Sequence, residues 1–175
     1  MPETSEHPED DMRNLHRPGS GIIDNFFEAI ELSQKSELIS KAKTIVILFS
    51  GDLNEAEEVR QILQKKDNNT CKILALDKNQ PQTLNEKAHR INAKLIEADC
   101  IAPQLPQNST DIIIAYGAEY LFIDNFQARI AFANGIANAL KQGGFIHAPG
   151  FGDHVFKSDQ RFIQSPGMTD IYQKI

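Results

Sequence analysis

The chain has no tryptophan, only two cysteines and no long apolar run. Its longest uninterrupted apolar stretches, Ile45 to Phe49 and Ile112 to Tyr116, are five residues each. A bilayer-spanning helix needs about 18 to 20 such residues, so no membrane span is expected. Cys71 and Cys100 form no CxxC pair. They fit neither a disulfide framework nor a zinc site, and they suit a reducing, cytoplasmic setting. An excess of basic residues is also missing. The net charge is −6, from 18 basic and 24 acidic side chains. Five of the acids (Glu3, Glu6, Glu9, Asp10, Asp11) fall in the first eleven residues, which hold no Lys or Arg; 24 less 5 leaves 19 acids against 18 bases, a balance of −1. Neither part carries the basic stripe that a nucleic-acid partner requires. The start of the chain lacks the apolar core of a secretory signal.

What is present is a globular composition: 175 residues, 41% hydrophobic and 24% charged. That length and composition predict a single core-forming domain. Residues 1–20, with Pro2, Pro8, Pro18 and Gly19 among charged groups, read as a disordered acidic tail ahead of one domain at 21–175.

Within that domain, short apolar runs alternate with amphipathic stretches. Ile22, Ile23, Phe26, Phe27 and Ile30, then Leu38 and Ile39, have helical spacing, predicting a helix from Ile22 to about Lys41. Thr44 to Phe49 predicts a strand buried on both faces. Asn54 to about Lys65 predicts a helix, with Asn54 able to cap it and Glu57 at the reciprocal capping position. Strands follow at Lys72 to Leu76, Lys94 to Glu97, Asp111 to Tyr116 and Phe145 to Ala148. Helices are expected at Pro81 to Ile91 and Asp124 to Lys141, the second stopped by Gly143-Gly144. Phe151-Gly152-Asp153-His154 reads as a connecting loop, and its two potential ligands do not make a metal site. Arg161 to Gln164 and Thr169 to Ile175 flank Ser165-Pro166-Gly167, a hairpin pattern. The expected fold is α/β: a Rossmann-like, doubly wound, mostly parallel sheet closed by a C-terminal antiparallel hairpin.

In such a sheet, ligands bind at the carboxyl ends of the strands where the strand order reverses. After the first strand stands Phe49-Ser50-Gly51-Asp52-Leu53, with one glycine, no GxGxxG and no phosphate-binding lysine. Asp77 ends the second strand, where a carboxylate can accept ribose hydroxyls. Asp99 follows the third, where it can accept from an adenine amino group. Each residue also suits an ordinary turn.

Together these stretches resemble the class I S-adenosylmethionine-dependent methyltransferases, nearest their small-molecule type 11 group. The similarity spans roughly residues 40 to 175. It rests on Leu76-Asp77, on Glu97-Ala98-Asp99-Cys100, on Leu105-Pro106-Gln107-Asn108-Ser109-Thr110-Asp111, on Leu140-Lys141-Gln142-Gly143-Gly144 and on the closing Asp170 to Lys174. The resemblance implies methyl transfer from S-adenosylmethionine to a small-molecule acceptor, with no metal. It implies donor contacts at Ser50, Gly51, Asp77, Lys78, Asp99, Cys100 and Tyr116. Candidates for a base follow the fourth and fifth strands: Glu119 and Tyr120, with Tyr116 and His147 as further choices. The oligomeric state stays open.

The family's glycine loop departs here. Phe49 and Leu53 replace two of its three glycines, and both predict crowding of the methionine half of the donor. A methyltransferase fold kept as a binding module without turnover is therefore the alternative. Asp52, Glu55, Glu57 and Glu58 surround the start of the helix after the first strand, with no Lys or Arg between Ser50 and Val59. That pattern disfavours a diphosphate and favours a sulfonium, against a third reading as a nicotinamide-dependent oxidoreductase fragment.

Overall fold

A computed structural model of the chain describes residues 21–32 and 37–175. The expected acidic tail at 1–20 lies outside the described residues.

Seven strands form one sheet in the order β3-β2-β1-β4-β5-β7-β6. They are β1 Thr44–Leu48, β2 Lys72–Asp77, β3 Ala93–Glu97, β4 Thr110–Ala115, β5 Leu140–His147, β6 Phe162–Gln164 and β7 Ile171–Lys174. The first five run parallel. β7 joins β5 antiparallel and pairs with β6 as the expected hairpin. The chain steps outward from β1 through β2 to β3, then crosses to β4 on the other side of β1. That reversal opens a crevice above the carboxyl ends of β1 and β4.

Alternation along each central strand divides the core in two. Ile45, Ile47, Ile112 and Ile114 meet one helical layer, with Phe26 and Ile30 of α1 (Ile22–Leu32), Ile39 of α2 (Leu38–Lys41) and Val59 and Leu63 of α3 (Asn54–Lys65). Val46, Leu48, Ile113 and Ala115 meet the other, with Phe132 and Ile136 of α5 (Phe126–Ala139) and Phe156 of α6 (Gly152–Phe156). Burial on both faces is what the unbroken apolar strands predict.

Several local expectations are corrected. The helix expected from Ile22 to about Lys41 is seen as α1 and α2, with 33–36 outside the described residues. The helix expected from Pro81 is a 3-10 turn, Gln82–Leu84, running into α4, Asn85–Arg90. Asn54 does not cap α3. Leu53 holds the cap position in left-handed backbone, and the Asn54 amide bonds Asp52 at 2.8 Å. The segment 151–154 is largely the start of α6 and not a loop.

The most consequential correction concerns Gly143-Gly144. They do not stop α5, which ends at Ala139, but lie inside β5. The β4–β5 register jumps there, from Thr110 opposite Leu140 to Ile112 opposite Phe145. The extra residues bulge from the ladder. Gly143 takes φ +78, and a Cβ on Gly144 would sit 2.9 Å from the carbonyl oxygens of Asp111 and Lys141. Beside the bulge, the Asp111 carboxylate accepts from the N–H groups of Lys43 and Thr44 at 2.8 and 2.9 Å and from Lys141 Nζ at 2.6 Å. It ties the amino ends of β1, β4 and β5 together.

Candidate functional site

The turn leaving β1 is built on three left-handed residues: Phe49 at φ 58, Gly51 at 46 and Leu53 at 67. Such backbone is uncommon for bulky L residues and costs each about 1–2 kcal/mol. Left-handed backbone thus stands at all three positions, of which only one is glycine. The two replacements point to different places. Leu53 is fully buried in the core beneath α1 and α3 and does not line the crevice. The expected crowding by Leu53 is therefore corrected: its side chain turns inward. Phe49 is half-buried, packs near Phe122 and Phe132 with ring centroids 6.3 Å away, and does form part of the crevice wall.

Asp77 sits beside that turn. One carboxylate oxygen accepts from Gly51 N–H at 3.0 Å, the other from Asn79 N–H at 3.2 Å. Each oxygen keeps a second lone pair for a ligand hydroxyl. Ser50, between Phe49 and Gly51, is fully buried. Its N–H extends the β1–β2 ladder to Leu76, and its hydroxyl accepts from Gln80 at 3.4 Å.

The crevice is a cavity of about 420 Å³. This falls in the range of small-molecule sites. Six of the seven expected donor contacts line it: Gly51, Asp77, Lys78, Asp99, Cys100 and Tyr116. Ser50 does not. Of the two leading base candidates, Tyr120 lines the cavity and Glu119 does not. Glu119 lies in the 3-10 turn Glu119–Leu121 and faces Gly150. Four lining residues escaped the sequence reading: Asn79, Ile101, Gly117 and Leu121. Gly117, at φ +69 just past β4, was the most legible of the four, since a glycine at a strand's carboxyl end is a turn signal.

Asp99 is exposed and accepts from Ile101 N–H at 2.9 Å. Cys100 is buried and its thiol donates to the Leu76 carbonyl at 3.3 Å, a packing arrangement.

Tyr116 joins the cavity to a second group. Its hydroxyl lies 2.6 Å from His147 Nδ1. The His147 ring stacks on Phe26 of α1, with centroids 4.6 Å apart. Burial pushes the imidazole down to about 4, so His147 is neutral near pH 7. Burial also raises the Tyr116 phenol, with smaller contributions from the nearby Glu55 and Glu58 carboxylates.

The acidic start of α3 is partly compensated, contrary to the sequence expectation. Lys87 of α4 reaches the Asp52 carbonyl at 2.9 Å, Asn54 at 2.7 Å and Glu57 at 3.3 Å, and Arg90 reaches Glu57 at 3.2 Å. Glu55, in contrast, lines the cavity. Among the described residues, no cluster of three or more His, Cys, Asp or Glu could hold a metal ion, and no helix is long and apolar enough to cross a membrane.

No family model and no curated protein sequence matches the chain. Solved structures do resemble it. A TehB-like SAM-dependent methyltransferase from Corynebacterium glutamicum aligns with TM-score 0.56 at 13% identity, over 95% of this chain and 100% of that one. A protein solved in work on the conversion of a disulfide bond into a thioacetal group during echinomycin biosynthesis aligns with TM-score 0.52 at 17% identity, over 70% of this chain and 47% of its own. A StiE O-MT segment gives TM-score 0.51 at 15% identity, over 80% of this chain and 50% of its own. The chain thus spans about half the length of some of these structures and all of another. With its strand order and its antiparallel β5-β7-β6 edge, the fold is that of the class I S-adenosylmethionine-dependent methyltransferases.

Proposed function

We propose that residues 21–175 act as one domain that binds S-adenosylmethionine in the crevice and transfers its methyl group to a small-molecule acceptor. The observation that carries this reading is the convergence on one cavity of the β1 turn, Asp77 after β2 and Asp99 after β3, at the reversal point of a methyltransferase fold. The residues present suit the donor. Asp77 has lone pairs for ribose hydroxyls, Asp99 has acceptor capacity for an adenine amino group, and Gly51 lets backbone approach closely. The bound donor supplies a methyl group on a positively charged sulfur that is its own leaving group. The protein's part is to hold the acceptor in line and exclude water. Where the acceptor must lose a proton, Tyr120 lines the cavity as the candidate base, while burial holds the Tyr116–His147 pair in its neutral form. Cytoplasmic residence belongs to the same reading; neither Cys71 nor Cys100 is in a disulfide among the described residues.

Phe49 in the wall favours one competing reading, a binding module without turnover. Calorimetric titration with S-adenosylmethionine, S-adenosylhomocysteine and NAD distinguishes them. The proposal expects the two adenosyl compounds to bind, NAD to give no heat, and methyl transfer to appear with a panel of small hydroxyl and amine acceptors. Binding without transfer to any acceptor supports the module. Binding of NAD alone overturns both.

A further inference from the structure

We infer that this cavity is built to hold the methyl donor more tightly than its demethylated product, with Glu55 and Phe49 reading the sulfonium charge. The inference rests on the methyl-transfer reading and deepens it by naming how the site treats its own product.

S-adenosylmethionine and S-adenosylhomocysteine differ by one methyl group and one positive charge. Their adenosine, ammonium and carboxylate contacts are shared and cancel in the comparison. Only groups that respond to the sulfur's charge can separate the two.

The cavity holds such groups. Three carboxylates line it, from Glu55, Asp77 and Asp99, against one ammonium, from Lys78. Asp77 is committed to the turn through Gly51 and Asn79. Asp99 follows β3, at the outer side of the crevice. Glu55 lies in the first turn of α3 and lines the same cavity as Tyr116, which follows β4. In a partly enclosed cavity a carboxylate acts on a cation with far less screening than in water.

Aromatic surface is the second part. Phe49, Tyr116 and Tyr120 all line the cavity. Aromatic faces attract cations and gain nothing comparable from a neutral thioether. Phe49 is the informative case. It holds a left-handed backbone that glycine would adopt without strain, and it adds a ring to the wall beside the turn. That ring is braced from behind by Phe122 and Phe132. The departure from the glycine loop is then a specificity device: it exchanges backbone ease for a charge-sensing wall. Loss of the sulfonium charge on methyl transfer removes the attraction and speeds product departure.

The test is calorimetry on the full chain with S-adenosylmethionine and S-adenosylhomocysteine as separate probes, for the native protein, Glu55→Gln and Phe49→Leu. Leucine is tolerated in the same left-handed backbone at Leu53, so Phe49→Leu keeps the turn, and melting curves check both variants for folding. The expected result is donor binding at least tenfold tighter than product binding. Each substitution should lower that ratio at least threefold by weakening the donor, with product affinity unchanged or improved. Equal affinities, or a tighter product, overturn the inference while leaving the methyl-transfer reading standing. Equal losses for both ligands in both variants overturn it too. If neither ligand binds the folded native protein, the functional reading fails and this inference falls with it.

Discussion

The Asp77 carboxylate accepts the Gly51 N–H at 3.0 Å, linking the carboxyl ends of β2 and β1 by a bond across 26 residues of sequence. The same carboxylate lines the cavity, so it shapes the turn and faces the ligand at once. Asp77→Ala should weaken S-adenosylmethionine binding by about 1–3 kcal/mol, the range for removing a buried hydrogen-bonding partner. Asp77→Asn keeps one acceptor oxygen and should lose less. Calorimetry on both checks this, and an unchanged dissociation constant in folded Asp77→Ala removes Asp77 from the site.

Leu53 separates strain from ligand contact. Leu53→Gly relieves left-handed strain worth about 1–2 kcal/mol. It also empties a fully buried site, and large-to-small core changes cost about 2–5 kcal/mol. The net expectation is a loss of about 0–4 kcal/mol in denaturant unfolding, centred on about 2. Donor affinity should be unchanged, because Leu53 does not line the cavity. A gain in affinity would place its side chain in the ligand's path.

His147 ties stability to pH. Its value falls from 6.5 in the unfolded chain to about 4 in the folded protein, because burial opposes the charged form. Between these values the unfolded chain holds more protons. The contribution is therefore complete above about pH 6.5, declines as pH drops, and is lost once pH passes below about 4. Its full size is about 3 kcal/mol. His147→Gln should flatten the unfolding free energy between pH 6.5 and 4 relative to the native protein. Parallel curves contradict a buried neutral imidazole.

Gly144→Ala tests the β5 bulge. The added methyl meets two backbone carbonyl oxygens at 2.9 Å, and neither belongs to a flexible side chain. Overpacking of this kind costs about 1–3 kcal/mol, which unfolding by denaturant reads directly.

The sheet was legible because Ile45 to Leu48 and Ile112 to Ala115 are apolar at consecutive positions, which only two-sided burial explains. The parallel, doubly wound character of the sheet followed from the alternation of strand and helix, and the closing hairpin from Pro166-Gly167; the strand order comes from the structure. The carboxylates at strand ends were legible for the same reason: Asp77 and Asp99 stand where a parallel sheet gathers its ligands. Other features depended on contacts between distant residues. Nothing near Glu57 in sequence announces Lys87 and Arg90, which arrive from α4. Gly143-Gly144 fits a helix stop and a strand bulge equally well, and the register of β4 against β5 decides. The direction of the Leu53 side chain depends on the backbone at a single residue. The Tyr116–His147 bond joins β4 to β5 and has no local signature.

The most direct measurement is the crystal structure of the protein grown with S-adenosylhomocysteine. The account predicts density for the ribose beside Asp77, the adenine toward Asp99 and the sulfur near Glu55 and Phe49. Well-ordered crystals with an empty cavity, or with the ligand bound elsewhere, would contradict it.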